Sequence, residues 1–321
     1  MAGYIIDSST EWGDKRYHSL DYELKLKYGQ KIYKLSLNGG MSCPNRDGTT
    51  DTRGCIFCSA GGSGDFAACS GLSVTEQIED AKKRISAKVI HQDQAKYIAY
   101  FQAYTNTHAP VAYLRHLFTE AITHPDIVIL SIATRPDCLG DEVLALLEEL
   151  NRIKPVWIEL GLQTIHEETA ALIRRGYPLS IFEYAIARLN YLNIPIIVHT
   201  ILGLPKETKQ DILMTIKYLG KLPIQGIKLQ LLHILKGTDL GRLYEEGFFT
   251  GILTMEEYID IVISCLECLP KEMVIHRITG DGPKKLLLAP LWSGNKKLVL
   301  NSIHKKMKER DTWQGKHYPC P

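Results

Sequence analysis

No stretch of the 321 residues approaches the roughly 20 consecutive apolar positions of a bilayer-spanning helix, so no membrane association is expected. An apolar run is also missing behind Met1-Ala-Gly-Tyr4, which argues against a secretory leader. Together with eight cysteines, that absence points to a reducing cytoplasmic setting in which thiols serve metals or catalysis. Neither sign of charge dominates: 38 basic against 36 acidic residues leave +2, which singles out no partner class. What is present is core material, 45% hydrophobic and 23% charged, enough to exclude disorder. The length suits one α/β core with additions at either end.

The chemistry concentrates in Cys43-Pro-Asn-Arg-Asp-Gly-Thr-Thr-Asp-Thr-Arg-Gly-Cys55-Ile-Phe-Cys58, where eleven residues separate the first two cysteines and two the last pair. A Cys-x-x-Cys pair turns two thiolates toward one centre, and the Gly/Asp/Thr-rich gap can deliver a third. Two centres remain open on spacing. Cys69 could close a four-cysteine zinc site, or three cysteines could hold a [4Fe-4S] cluster with one iron open to a small molecule. The nearby Gly61-Gly-Ser-Gly-Asp-Phe66 reads either as a plain loop or as backbone approaching a ligand closely.

Downstream, β-rich runs at 31–37, 96–102, 127–133, 156–160, 194–200 and 226–234 alternate with helical patterns at 74–90, 111–123, 142–153, 181–192 and 209–219. Runs such as Ile127-Val-Ile-Leu-Ser-Ile132 suit strands buried on both faces. The expected fold is α/β, a partial parallel (β/α)6 barrel over 30–235, with a lead-in at 1–29 and an α-rich extension at 236–321. Chemistry in such barrels sits at the carboxyl ends of the strands. Those ends read Phe101-Gln-Ala-Tyr-Thr-Asn-Thr107, Ala133-Thr-Arg-Pro-Asp-Cys138, Glu159-Leu-Gly-Leu-Gln-Thr164 followed by Ile173-Arg-Arg-Gly-Tyr177, and His199-Thr-Ile-Leu-Gly-Leu-Pro-Lys-Glu-Thr208. Lys228 and Gln230 share one strand face, and His233 falls on the other unless a bulge intervenes. His199 alone could equally be a satisfied core residue. Arg135 and Asp137 could simply pair with each other. Cys265 and Cys268 on a helical pattern read as core. The segment 296–310, with Lys296, Lys297, Lys305, Lys306, Lys308 and Arg310, suits either a phosphate-binding helix or a solvated face.

The three cysteines, with aromatic Phe57 before the last and a strand before the first, resemble the radical S-adenosylmethionine (SAM) superfamily. The long first gap narrows the resemblance to the elongator-catalytic-subunit branch and the bacterial YtqA/YhcC family. The strand-end segments are similar to those of elongator and coproporphyrinogen dehydrogenase relatives, except that Ala133 replaces a glutamate and His199 stands where aspartate is common. This resemblance implies a cluster on Cys43, Cys55 and Cys58, and SAM contacts from Phe57, Gln102, Ser131, Thr134, Gln163 and Arg175. It leaves Tyr104, His199 and His233 as catalytic candidates. It implies that reductive cleavage of SAM yields a 5′-deoxyadenosyl radical, with a flavodoxin- or ferredoxin-type electron donor. It further implies a tRNA substrate, the 5-carboxymethylaminomethyl group of wobble uridine converted to 5-aminomethyl. A radical SAM enzyme acting on a small molecule and a non-enzymatic zinc module are the alternatives.

Overall fold

The computed structural model describes residues 11–62, 71–89, 92–280 and 282–319; Cys69, Asp281 and Cys320 lie outside them. In chain order the elements are α1 (Leu20–Tyr28), β1 (Ile32–Leu37), α2 (Val74–Ile85), β2 (Lys96–Phe101), α3 (Val111–Thr123), β3 (Ile127–Thr134), α4 (Asp141–Asn151), β4 (Val156–Gln163), α5 (Glu167–Leu172), α6 (Leu179–Tyr191), β5 (Ile196–Leu202), α7 (Lys209–Leu219) and β6 (Gly226–Leu231). Then follow β7 (Ile234–Leu235), α8 (Asp239–Glu245), α9 (Met255–Glu267), β8 (Val274–Arg277), β9 (Leu287–Ala289) and α10 (Lys296–Glu309).

The expected βα alternation forms one open parallel sheet in the order β1-β2-β3-β4-β5-β6-β8. Six strands were expected and a seventh joins: β8, from the region assigned to the extension, pairs in parallel with β6. The apolar run just before His276 reads as a short strand in the sequence, but nothing in it ties that strand to the barrel sheet. β4 also runs to Gln163, beyond the expected end at Leu160.

Alternation of side chains sorts each strand between two environments. Leu35, Leu37, Ala99, Phe101, Leu130, Ile132, Ile158 and Leu160 join the outer core beneath the helices. The opposite face turns inward. There Ile32, Ile98, Ile129, Trp157 and Ile197 form an apolar layer closed by Leu24 of α1. Helix α1 packs on both edge strands, β1 and β8, and Ser19 just before it bridges to Ile275. Helix α1 is thus the plug of the open barrel, and each fully buried Leu or Ile contributes roughly 1.5–3 kcal/mol to holding it there.

The extension is α-rich as expected, with α10 seated on α9 through Val299, Ile303 and Met307. A ribbon, β7 with β9, and α8 pack with Ile56 and Ile173 over the carboxyl ends of β5 and β6. Cys265 is core, as its helical spacing suggests. Cys268 is core as well, and it is disulfide-bonded, a role for a thiol beyond the metal binding or catalysis expected of these cysteines. No helix among the described residues is long and apolar enough to cross a membrane.

Candidate active site

Three cysteines, Cys43, Cys55 and Cys58, open onto one cavity of about 180 Å³ at the carboxyl ends of the strands. The eleven-residue gap between the first two is a hydrogen-bonded coil. Arg46 and Asp47 N–H groups donate to the Cys43 carbonyl, Thr50 N–H to Pro44, and Gly54 N–H to Asn45 at 2.6 Å. Thr105 N–H donates to the Ser42 carbonyl and fastens the loop to the end of β2. Tyr104 fastens its other end: its N–H donates to the Gly62 carbonyl and its hydroxyl to the Ala60 carbonyl, and Arg46 lies over its ring. Gly62 has φ +55°, and a Cβ there would run into the Tyr104 ring, so glycine is required twice over.

Asn45 is fully buried, and its amide donates to the carbonyls of Arg174 and Arg175 and, at 3.5 Å, to the Cys55 sulfur. The Cys58 hydrogen bond and, against burial, the Asn45 bond pull the Cys55 thiol down to about 7. The same sulfur-to-sulfur bond, with burial, pushes Cys58 well up. The guanidiniums of Arg46, Arg135 and Arg174 lie near enough to act on the thiols, and three thiolates on one open cavity suit a cluster that leaves one iron open to a small molecule. Cys138 lies nearby, but burial and Asp137 push its thiol up to about 12.

Deeper in the barrel, on the apolar layer, lies a layer of charge. Glu159 is wholly buried. Its Oε1 accepts from Lys34 Nζ at 2.9 Å and Ser131 Oγ at 2.8 Å, and its Oε2 from Lys228 Nζ and from His199 Nε2 at 2.7 Å. Lys228 also donates to the Tyr100 hydroxyl at 3.1 Å, and both lysines lie over the Tyr100 ring. Burial alone would raise the Glu159 carboxyl, but Lys228, Lys34 and His199 outweigh it and hold it well below the carboxylate range. Burial and Lys228 push His199 down to about 4, so it is a neutral donor to Glu159 at pH 7. Gly226 leaves room for the His276 ring, which meets Trp157 edge-on.

The structure brings most of the expected residues to this cavity. Phe57, Gln102, Tyr104, Thr134, Gln163, Arg175 and His199 line it with the three cysteines, and so do Lys228 and Gln230 on their shared inward face. Gln163 sits at φ +70° where β4 ends. Ser131 lies beneath, bonded to Glu159, and is absent from the lining. His233 falls beyond the end of β6, its ring against Gly280 and Gly282, also outside the lining. Arg175 is 2% exposed, and its guanidinium donates to the carbonyls of Tyr177, Leu162 and Thr164 and to Glu167. Arg135 pairs with Asp137, as the plainer reading had it. Sequence reasoning missed Lys34, Tyr100, Asn45 and Arg277, and gave Glu159 no role. The available signal was a polar residue at each inward strand position one layer above the apolar one.

Two sequence profiles match the chain, that of the Radical SAM superfamily over residues 52–219 and that of the Radical SAM C-terminal domain over 224–309. It is 46% identical over 305 residues to the uncharacterized protein YtqA of Bacillus subtilis, covering 95% of this chain and 94% of that one. It is 38% identical over 275 residues to protein YhcC of Escherichia coli, covering 85% and 86%. A tRNA uridine(34) acetyltransferase of Methanocaldococcus jannaschii is 25% identical over 196 residues, 60% of this chain and 35% of that protein. Among solved structures, Elp3 of Methanocaldococcus infernus shares the fold with a TM-score of 0.66 at 15% identity, covering 88% of this chain and 64% of that one. The expected parallel partial-barrel fold is borne out, and the non-enzymatic zinc module is set aside. The chain belongs to the radical SAM superfamily and is an enzyme of that family, whose members use SAM with an iron–sulfur cluster.

Proposed function

We propose that this enzyme acts on the C5 substituent of tRNA wobble uridine, converting the 5-carboxymethylaminomethyl group, with or without 2-thiolation, to 5-aminomethyl. The observation that carries the reading is one cavity with a three-cysteine wall and a polar, charge-lined floor, which suits a cofactor above and a polar substrate arm below. Similarity to a protein called tRNA uridine(34) acetyltransferase supports tRNA as the substrate class.

Cys43, Cys55 and Cys58 would hold a [4Fe-4S] cluster, with Asn45 donating to one thiolate. Cluster and SAM together would supply, on one-electron reduction by a flavodoxin- or ferredoxin-type protein, a 5′-deoxyadenosyl radical. Hydrogen taken from the carbon between amine and carboxylate, return of one electron and addition of water to the resulting imine would break the C–N bond and release the two carbons as glyoxylate, leaving the 5-aminomethyl group. The chain's own task is positioning and exclusion of water. Gln163, Gln102 and Thr134, which line the cavity, would contact SAM. Tyr104 and Arg46 clamp the cysteine loop, and Arg175 holds the end of β4 in shape. The apolar layer with α1 beneath shuts the barrel to solvent. The exposed basic face of α10 adds sequence-independent phosphate contacts.

Mass spectrometry of tRNA nucleosides from cells with and without the gene tests this. Loss of the gene is expected to remove 5-aminomethyluridine derivatives and accumulate the 5-carboxymethylaminomethyl form. Unchanged wobble nucleosides would overturn the reading.

A further inference from the structure

The geometry points to a second anion site on the cavity floor, formed by Arg277 with Lys228, which takes a carboxylate carried by the substrate. It rests on the wobble-uridine reading only for the identity of that substrate. Among the described residues lining the cavity, Glu159 is the single acidic one, against Arg46, Arg135, Arg175, Lys228 and Arg277. Three of those cations are committed to the chain. Arg46 donates to the carbonyls of Cys58 and Ser59, Arg135 to Asp137, and Arg175 to three carbonyls and Glu167.

On the floor, Glu159 is saturated by four donors, and two lysines share its one negative charge. Arg277 sits beside them, close enough to act electrostatically on Tyr100, His199 and Lys228. A half-buried guanidinium added to a layer in which two lysines already share one carboxylate calls for a counter-anion. Its planar fork of N–H donors matches a carboxylate in two-point contact. The carboxylate of SAM belongs at the cysteine end, where the open iron would take it. The floor lies about one side-chain layer deeper, roughly 6–7 Å along the strands, and so serves another molecule. The 5-carboxymethylaminomethyl arm ends in a carboxylate, whereas its 5-aminomethyl product does not. A floor that holds the carboxylate therefore prefers substrate over product and hangs the intervening carbons toward the cofactor.

The test has two arms, both on the reconstituted enzyme with SAM. In the first, the melting temperature is followed with millimolar sarcosine, the bare carboxymethylamine fragment, and with sarcosinamide, which lacks the carboxylate. Wild type should be stabilised by sarcosine alone, Arg277→Gln should lose the response, and Arg277→Lys should keep part of it. In the second, affinities are compared for anticodon stem-loops bearing 5-carboxymethylaminomethyluridine or 5-aminomethyluridine. Wild type should prefer the first by about ten-fold or more, and Arg277→Gln should bind both alike. No difference between sarcosine and its amide in wild type, or a preference retained by Arg277→Gln, overturns the anion site. If neither stem-loop binds, the uridine reading falls, and the sarcosine arm still decides the site.

Discussion

Lys228 donates its ammonium to Glu159 inside the barrel, with 4% of one side chain and none of the other exposed. Because Glu159 keeps Lys34, Ser131 and His199 when Lys228 is lost, the two partners are unequal. Glu159→Leu strands Lys228 against Tyr100 and should cost about 3–5 kcal/mol in urea unfolding. Lys228→Met should cost clearly less, and the double variant should recover part of the Glu159→Leu loss. Equal losses in the two single variants would contradict this arrangement.

His199 gives the pH dependence. An unfolded histidine binds its proton near pH 6.5 and this one only at about 4, so the unfolded chain holds more protons between those values. Stability from this group is present above about pH 6.5 and is lost as pH falls toward 4, by about 3 kcal/mol. His199→Gln, which keeps a donor toward Glu159, should lose that much less over the same window. An unchanged acid slope would show that the ring is not buried neutral.

Cys43, Cys55 and Cys58, each changed to Ala, should abolish iron binding after anaerobic reconstitution, whereas Cys138→Ala and Cys69→Ala should retain iron and brown colour. If Cys69→Ala loses metal as completely as Cys58→Ala, the three-cysteine assignment is wrong.

Gln163 and Arg175 line the same cavity but should behave differently. Gln163→Ala should weaken SAM binding by about ten-fold with stability unchanged, as calorimetry would register. Arg175→Ala leaves three carbonyls without their donor and should destabilise the fold by at least about 2 kcal/mol. A stable Arg175→Ala protein with selectively lost SAM affinity would return the guanidinium to a direct cofactor role.

Much of this was legible in the chain. Strands β1 to β6 announced themselves by apolar runs, because a parallel strand covered on both sides must be apolar along most of its length. The cysteine spacing and the polar strand ends located the cavity for the same reason: such residues do not fit a sheet interior. The floor was harder. Lys34, Glu159 and Lys228 lie far apart in sequence, and each alone reads as a stray charge; only the stagger of adjacent strands makes them one layer. β8 was legible as a short strand before His276, but its pairing with β6 was not, because four residues with His276 and Arg277 among them carry no signal of which sheet they join. Arg175 shows the opposite error, a cavity-lining arginine whose donors are already spent on the backbone.

The basic face of α10 should act on affinity alone. Changing Lys297, Lys305 and Lys308 to Ser should raise the tRNA dissociation constant and lower the slope of log affinity against log salt by roughly 0.9 for each phosphate the helix no longer neutralises. SAM cleavage without RNA should be unaffected. An unchanged slope would leave the helix a solvated surface.

Most direct for the central claim is conversion in a single vessel. Reconstituted enzyme, SAM, a low-potential reductant and tRNA carrying 5-carboxymethylaminomethyluridine are incubated anaerobically, and digested nucleosides are weighed by mass spectrometry. The account predicts 5-aminomethyluridine appearing in step with 5′-deoxyadenosine, with neither formed by the Cys58→Ala protein. Steady release of 5′-deoxyadenosine while the tRNA nucleosides stay unchanged would contradict it.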